Sequence, residues 1–349
     1  MSVQRDERSV DSPTDVSSST RPPAAVRADR SALARPDSVG GYNVYTRANP
    51  PTVDEVLGFY TGLSNWGRWG HEDDLGTLNL ITPEVRMRGI AAVRHGISVS
   101  CGWEVPTGPE GIARTTHVQH FPPDEHPWAG INEDLTFDFH DTKFTHVDSL
   151  CHIVWDGTMY NGRRASDVDT AEGATFGSVT AAADGMLTRG VLIDVPGLRG
   201  VDWLDMGEPV FPEDLEAAEA RQSVRVEPGD AVLLRTGYDR CKRETGQLLT
   251  GTGQSGWHAA CLPWLRERDV AYIGCDTGQD ALPSGYPSIF LPIHTVAQTA
   301  IGMWLLDHCD LDACVRTADR LQQWDFLLSV SPIRFQNTSG SPVNPIATF

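Results

Sequence analysis

The stretch Thr145-His146-Val147-Asp148-Ser149-Leu150-Cys151-His152 places two histidines and a carboxylate within a few positions of one another. Successive side chains of an extended chain alternate faces, so His146 and Asp148 point the same way. A neutral imidazole beside a carboxylate suits Zn²⁺, Mn²⁺ or Fe²⁺. His152 keeps that parity if the strand continues, and lies one turn on if the chain becomes helical. The spacing fits a third ligand or a base. A buried, hydrogen-bonded histidine at a strand end has the same spacing, so the motif alone leaves the ion open. Cys151 has the opposite parity and reads as a buried apolar thiol rather than a nucleophile.

Composition narrows the class. The chain has 349 residues, 40% hydrophobic and 21% charged, the range of ordinary globular proteins. A formal net charge of −19 disfavours nucleic acid and anionic membrane as partners. No run reaches the roughly 18 apolar residues a membrane span needs. Residues 1–45 are rich in Ser, Asp, Arg and Pro, lack a secretion signal's apolar core, and read as a disordered leader. Residues 46–349 read as a single α/β domain. Seven cysteines without CxxC pairing point to reduced thiols and a cytoplasmic protein.

The pattern predicts helices over Thr52–Leu63, from Thr82-Pro83 to about His95, over Pro212–Arg221, His258–Arg268 and Ala313–Leu321. Strands are expected at Ile97–Trp103, Asp134–His140, Gly190–Pro196, Gly229–Gly237 and Val270–Cys275. Residues 114–120, followed by Phe121-Pro122-Pro123, read as a loop carrying His117 and His120. Nothing matches GxGxxG, GxxxxGK[ST] or GxSxG, which disfavours a nucleotide site and a serine hydrolase.

The motif and its surroundings resemble the cyclase family, which includes kynurenine formamidases and isatin hydrolases. Its signature is His-x-Gly-Thr-His-x-Asp-x-x-x-His, and Thr145, His146, Asp148 and His152 match the second half. Trp69-Gly70 with Asp73–Thr82, Asp156-Gly157 with Met159–Gly162, Gly229–Gly237 and Ser339–Ala347 are similar to further family blocks, in family order. Two positions depart. The family's first His is Thr142 here, and its Gly is Phe144. His140 shares strand parity with His146 and could replace the missing ligand. A straight strand would separate the two by about 20 Å, so a bend is required.

The resemblance implies a swivelling β/β/α fold with a mixed sheet and flanking helices. It implies one divalent ion, Zn²⁺ or Mn²⁺, a small-molecule substrate, and a homodimer or homotetramer. It assigns His146 and Asp148 to the ion and His152 to acid/base work. His294 takes the place of a later family His, and is read as the third ligand. Asp307 takes the place of a family Glu, and is read as a ligand or as the group that holds His152. Trp69, His117, His120, Trp155 and Asp276 are candidates for the substrate pocket. The implied reaction is hydrolysis of a C–N amide bond in a cyclic amide or N-formyl aryl substrate. A metal-assisted cyclase or dehydratase, and a binding protein that has lost its ion, stand as alternatives.

Overall fold

Four buried strands run parallel through the centre of the fold, and their sequences explain why. Met186–Asp194, Ala231–Arg235, Tyr272–Cys275 and Trp304–Asp307 include near-continuous apolar runs such as Val232-Leu233-Leu234, as expected of strands covered on both faces. The computed structural model describes residues 45–107, 114–120, 130–249 and 253–349, with only the backbone at 114–120 and 130–133. Asn43–Phe349 group into one compact unit. Residues 1–44 of the expected leader lie outside the described residues.

Strands of three or more residues are numbered here in chain order: β1 Ser98–Ser100, β2 Arg114–His120, β3 Gly130–Thr136, β4 His146–Asp148, β5 Met186–Asp194, β6 Ala231–Arg235, β7 Tyr272–Cys275, β8 Trp304–Asp307, β9 Asp325–Val330, β10 Gly340–Pro342 and β11 Ile346–Thr348. Nine of them form one mixed sheet in the order β1-β11-β9-β5-β6-β7-β8-β4-β10. β5 to β8 are mutually parallel. β4 is antiparallel to both of its neighbours, β8 and β10. Helices flank the sheet. Two of them start where expected, with Thr52 and Thr82 accepting backbone N–H bonds as N-caps. The fold is the mixed α/β class expected.

Two expectations fail around β2 and β3. Residues 114–120 are not a loop; they form β2, which pairs antiparallel with β3. The strand expected over Asp134–His140 ends at Thr136. Beyond it Asp138 and Asp141 capture the backbone: Asp138 Oδ1 accepts the His140 N–H at 3.2 Å and Asp141 Oδ1 that of Lys143 at 3.0 Å. Such side-chain-to-backbone bonds compete with a strand ladder and turn the chain.

The run after His294 holds a further departure from regularity. A helix at Pro292–Val296 passes into a π-turn at Ala297–Ile301. The loop of residues 65–70, rich in Trp and Gly, and the turn Gly76–Leu80 satisfy the carbonyls this exposes. Asn65 N–H donates to Ala300 O (3.0 Å), Asn65 Nδ2 to Ile301 O (2.9 Å), Trp66 Nε1 to Thr299 O (2.7 Å) and Thr77 N–H to Gly302 O (2.8 Å). The loop is thus a brace for the His294 segment.

Candidate active site

Asp148 stands at the centre of the site. It is buried in β4, on the same face as His146, and four imidazoles approach its carboxylate. His140 Nε2 lies 3.4 Å and His146 Nε2 3.5 Å from Oδ1; His152 Nε2 lies 3.6 Å and His294 Nε2 3.8 Å from Oδ2. The Asp138/Asp141 turn folds His140 back over the motif, stacked on His152 at 4.4 Å and 13°. Thr142 is exposed on that turn. Two residues upstream of the vacated position, His140 therefore occupies the side of Asp148 that a straight strand would deny it.

Asp307 completes the cluster. It ends β8 directly opposite His146 in the ladder, and its Oδ2 is 3.3 Å from His294 Nε2. Two groups of three residues have ligand atoms mutually within 4.8 Å: His140, Asp148 and His152, and His146, Asp148 and Asp307. His294, expected beside His146 and Asp148, belongs to neither group; its Nε2 lies 3.8 Å from Asp148 Oδ2 and 3.3 Å from Asp307 Oδ2.

The partners behind the cluster fix which nitrogens face it. His146 Nδ1 donates to the Phe144 carbonyl at 2.9 Å, and His294 Nδ1 to Asp280 Oδ2 at 2.6 Å. Both rings therefore present Nε2 lone pairs to carboxylate oxygens when neutral. Asp280 also accepts the N–H groups of Ile293 (2.7 Å) and His294 (3.2 Å). Gln279 Nε2 donates to Asp307 Oδ1 at 2.8 Å. The same loop holds Asp276, a candidate for the substrate pocket. That residue is fully buried, and Thr236 and Gly237 occupy its carboxylate through bonds of 2.7–2.8 Å. The residues that serve the site are Gln279 and Asp280, and the Asp-then-Pro292-Ile293-His294 spacing was the available signal.

Burial and mutual charge perturb Asp148, His140, His152, His294 and Asp307. Burial pushes Asp148 up to about 7; His146 and His294 oppose this, and Asp307 adds to it. Burial, then His146, lowers His140 to about 4, and burial, then His140, lowers His152 to about 3. Burial would lower His294, but Asp307 and Asp280 outweigh it and hold it well above the usual imidazole range. Burial would raise Asp307, but His294 prevails and holds it below the carboxylate range.

Access is one-sided. The side chains of His140 and His152 are each 26% exposed, whereas that of Asp148 is 1% exposed. Of the other candidates, Trp155 stacks on Tyr60 at 4.5 Å and 7°. Tyr60 in turn donates to Thr295, next to His294, at 2.6 Å. Trp69 lies under the Arg68 guanidinium. His117 and His120 sit in β2, and their side chains lie outside what is described.

Residues 93–279 match the family described as "putative cyclase", more than half of the chain. The chain belongs to the cyclase family. The comparison with curated proteins returns no match. Among solved structures, this cyclase is similar to one titled a novel cyclase, with TM-score 0.71 and 23% identity over 83% of this chain and 99% of that one. It is also similar to an isatin hydrolase bound to the product analogue thioisatinate, with TM-score 0.53 and 16% identity over 76% and 98% of the two chains. A third, isatin hydrolase A from Labrenzia aggregata bound to benzyl benzoate, gives TM-score 0.50 and 20% identity over 75% and 96%. At these identities the likeness speaks for the fold. No helix among the described residues is long and apolar enough to cross a membrane.

Proposed function

We propose that this cyclase-family protein is a metal-dependent hydrolase that cleaves a C–N amide bond of a small cyclic amide or N-formyl aryl substrate. One observation carries the reading. Asp148 Oδ1 and His140 Nε2 are buried without a hydrogen-bond partner, 3.4 Å apart. His146 Nε2 lies 3.5 Å from the same oxygen. Ring nitrogens and carboxylate oxygens buried this close need a cation between them, and the donor set of imidazoles and carboxylates fits a divalent ion, Zn²⁺ or Mn²⁺.

Asp148 would hold that ion with His146 and Asp307, one of the two converging groups, and with His140 beside its other face. A divalent ion supplies a Lewis acid that polarises a carbonyl and makes water a nucleophile near neutral pH. His152, neutral and at the accessible side, takes the proton of the attacking water as the C–O bond forms. It returns that proton to the nitrogen as the C–N bond breaks. Asp307 and Asp280 keep His294 in place. The isatin hydrolase likeness in fold is consistent with cyclic-amide opening.

The test is metal analysis of the purified protein, followed by turnover of isatin and N-formyl aryl amines in ¹⁸O water. Bound or bindable ion and label in the product are expected. Turnover without label would point instead to a cyclase or dehydratase. A protein that binds no divalent ion and turns over neither substrate would sink the proposal.

A further inference from the structure

Asp307 and His308 are consecutive, yet both reach His146. Asp307 faces it across the β4–β8 ladder. The His308 ring lies 5.8 Å from the His146 ring, centroid to centroid, tilted by 37°. Successive side chains of a strand point to opposite faces, so a regular backbone would send His308 away. The backbone there instead has φ +54°, the left-handed region that residues with a side chain seldom use.

Both ends of the residue are clamped. Its N–H donates to the Thr277 carbonyl at 3.1 Å, and its carbonyl accepts the Thr145 hydroxyl at 2.7 Å. That hydroxyl in turn accepts the Trp103 N–H at 3.0 Å. Beyond the ring stands Gly278, where an added Cβ would lie 3.4 Å from His308 Cε1 and Nε2. The ring is therefore held between His146 and the loop that supports Asp307. His308 is buried, and its Nδ1 has no hydrogen-bond partner among the described residues. Strain and an unused polar atom persist only where the surroundings over-determine them, and such positions gather at functional sites.

We propose that His308 is a positioning residue of the ion site: its inward-turned imidazole fixes the plane of the His146 ring, so that His146 Nε2 keeps its aim at Asp148. Among the described residues the His146 ring has its Nδ1 bond to Phe144 O and the partly exposed His140 ring edge-on at 5.4 Å; the buried His308 adds a further contact on the ring and removes freedom that these leave. This inference rests on the divalent-ion reading given above.

The experiment measures Zn²⁺ affinity by competition with a chromophoric chelator in wild type, His308→Gly and His308→Asn, beside the melting temperature of each ion-free protein. Glycine removes the ring and relieves the backbone, so the ion-free variant should melt no lower than wild type. Its Zn²⁺ affinity should fall roughly 10- to 100-fold, the usual effect of losing an outer partner of a ligand. Asparagine accepts the left-handed region and offers a planar amide, and should recover part of the loss. With Co²⁺ as probe, the visible d–d bands of the glycine variant should shift, and those of the asparagine variant should lie nearer wild type. Wild-type affinity and wild-type Co²⁺ bands in His308→Gly overturn the proposal. So does an affinity loss that only tracks a lower ion-free melting temperature, which marks a structural role. A wild-type protein that binds none of Zn²⁺, Mn²⁺ or Co²⁺ overturns the ion reading and this one together. Ion binding without hydrolysis overturns the hydrolase reading alone, and the affinities still decide on His308.

Discussion

His140 Nε2 stands 3.4 Å from Asp148 Oδ1, and neither atom has a hydrogen-bond partner among the described residues. The pair is brought together by a turn rather than by strand register, so on the proposed reading the ligand position has moved along the chain from Thr142 to His140.

Exchanging residues on that turn tests the move. His140→Ala should weaken Zn²⁺ binding by more than the roughly 10- to 100-fold that losing an outer partner costs. Thr142→Ala, on the exposed side of the turn, should leave binding unchanged. In the double variant His140→Ala, Thr142→His, affinity should stay low. Isothermal titration reads all three, and a restored affinity in the double variant would show that Thr142 holds the ligand place after all.

Asp148 sets function against stability. Its folded pKa, about 7, lies above the ordinary carboxylate value. The stability linked to the bound proton is therefore present at low pH and lost as pH rises through about 7. At pH 8 without ion, Asp148→Asn should stabilise the protein, by at most about 4 kcal/mol. Added Zn²⁺ should raise the melting temperature of wild type and not of the variant. Calorimetry at pH 5 and pH 8 checks both, and a variant less stable than wild type at pH 8 would contradict the argument.

How much of this was legible in the chain depends on what each residue answers to. The parallel core was readable because burial on both faces demands apolar runs such as Val232-Leu233-Leu234. His146 and Asp148 were readable because a strand period of two is local. His140 was only half readable, since its place depends on hydrogen bonds from Asp138 and Asp141 that stop a plausible strand. The parts of Asp276 and Asp280 were not legible: both are carboxylates in one loop, and only the fold determines that one is taken up by Thr236 and the other by His294.

His152→Ala should keep the ion and lose turnover. General acid–base catalysis is worth roughly 100- to 10,000-fold, and a fall in kcat of that size with unchanged metal content is expected by steady-state kinetics and elemental analysis. Loss of the ion from this variant would reassign His152 as a ligand.

Gly340→Ala probes how closely the edge strand approaches. A Cβ there would collide with the Val147 carbonyl and lie 3.0 Å from His140 Nε2. Denaturant unfolding should show a loss of about 1–3 kcal/mol, and Zn²⁺ affinity should fall with it. A variant as stable as wild type would mean that β10 can move away from β4.

The pairing of β4 has a consequence for biosynthesis. Its two neighbours, β8 and β10, are Trp304–Asp307 and Gly340–Pro342. A ribosome releases the histidine motif long before either partner strand exists. The cluster therefore cannot close before Gly340–Pro342 has been made, and on the proposed reading any ion is captured only after that point.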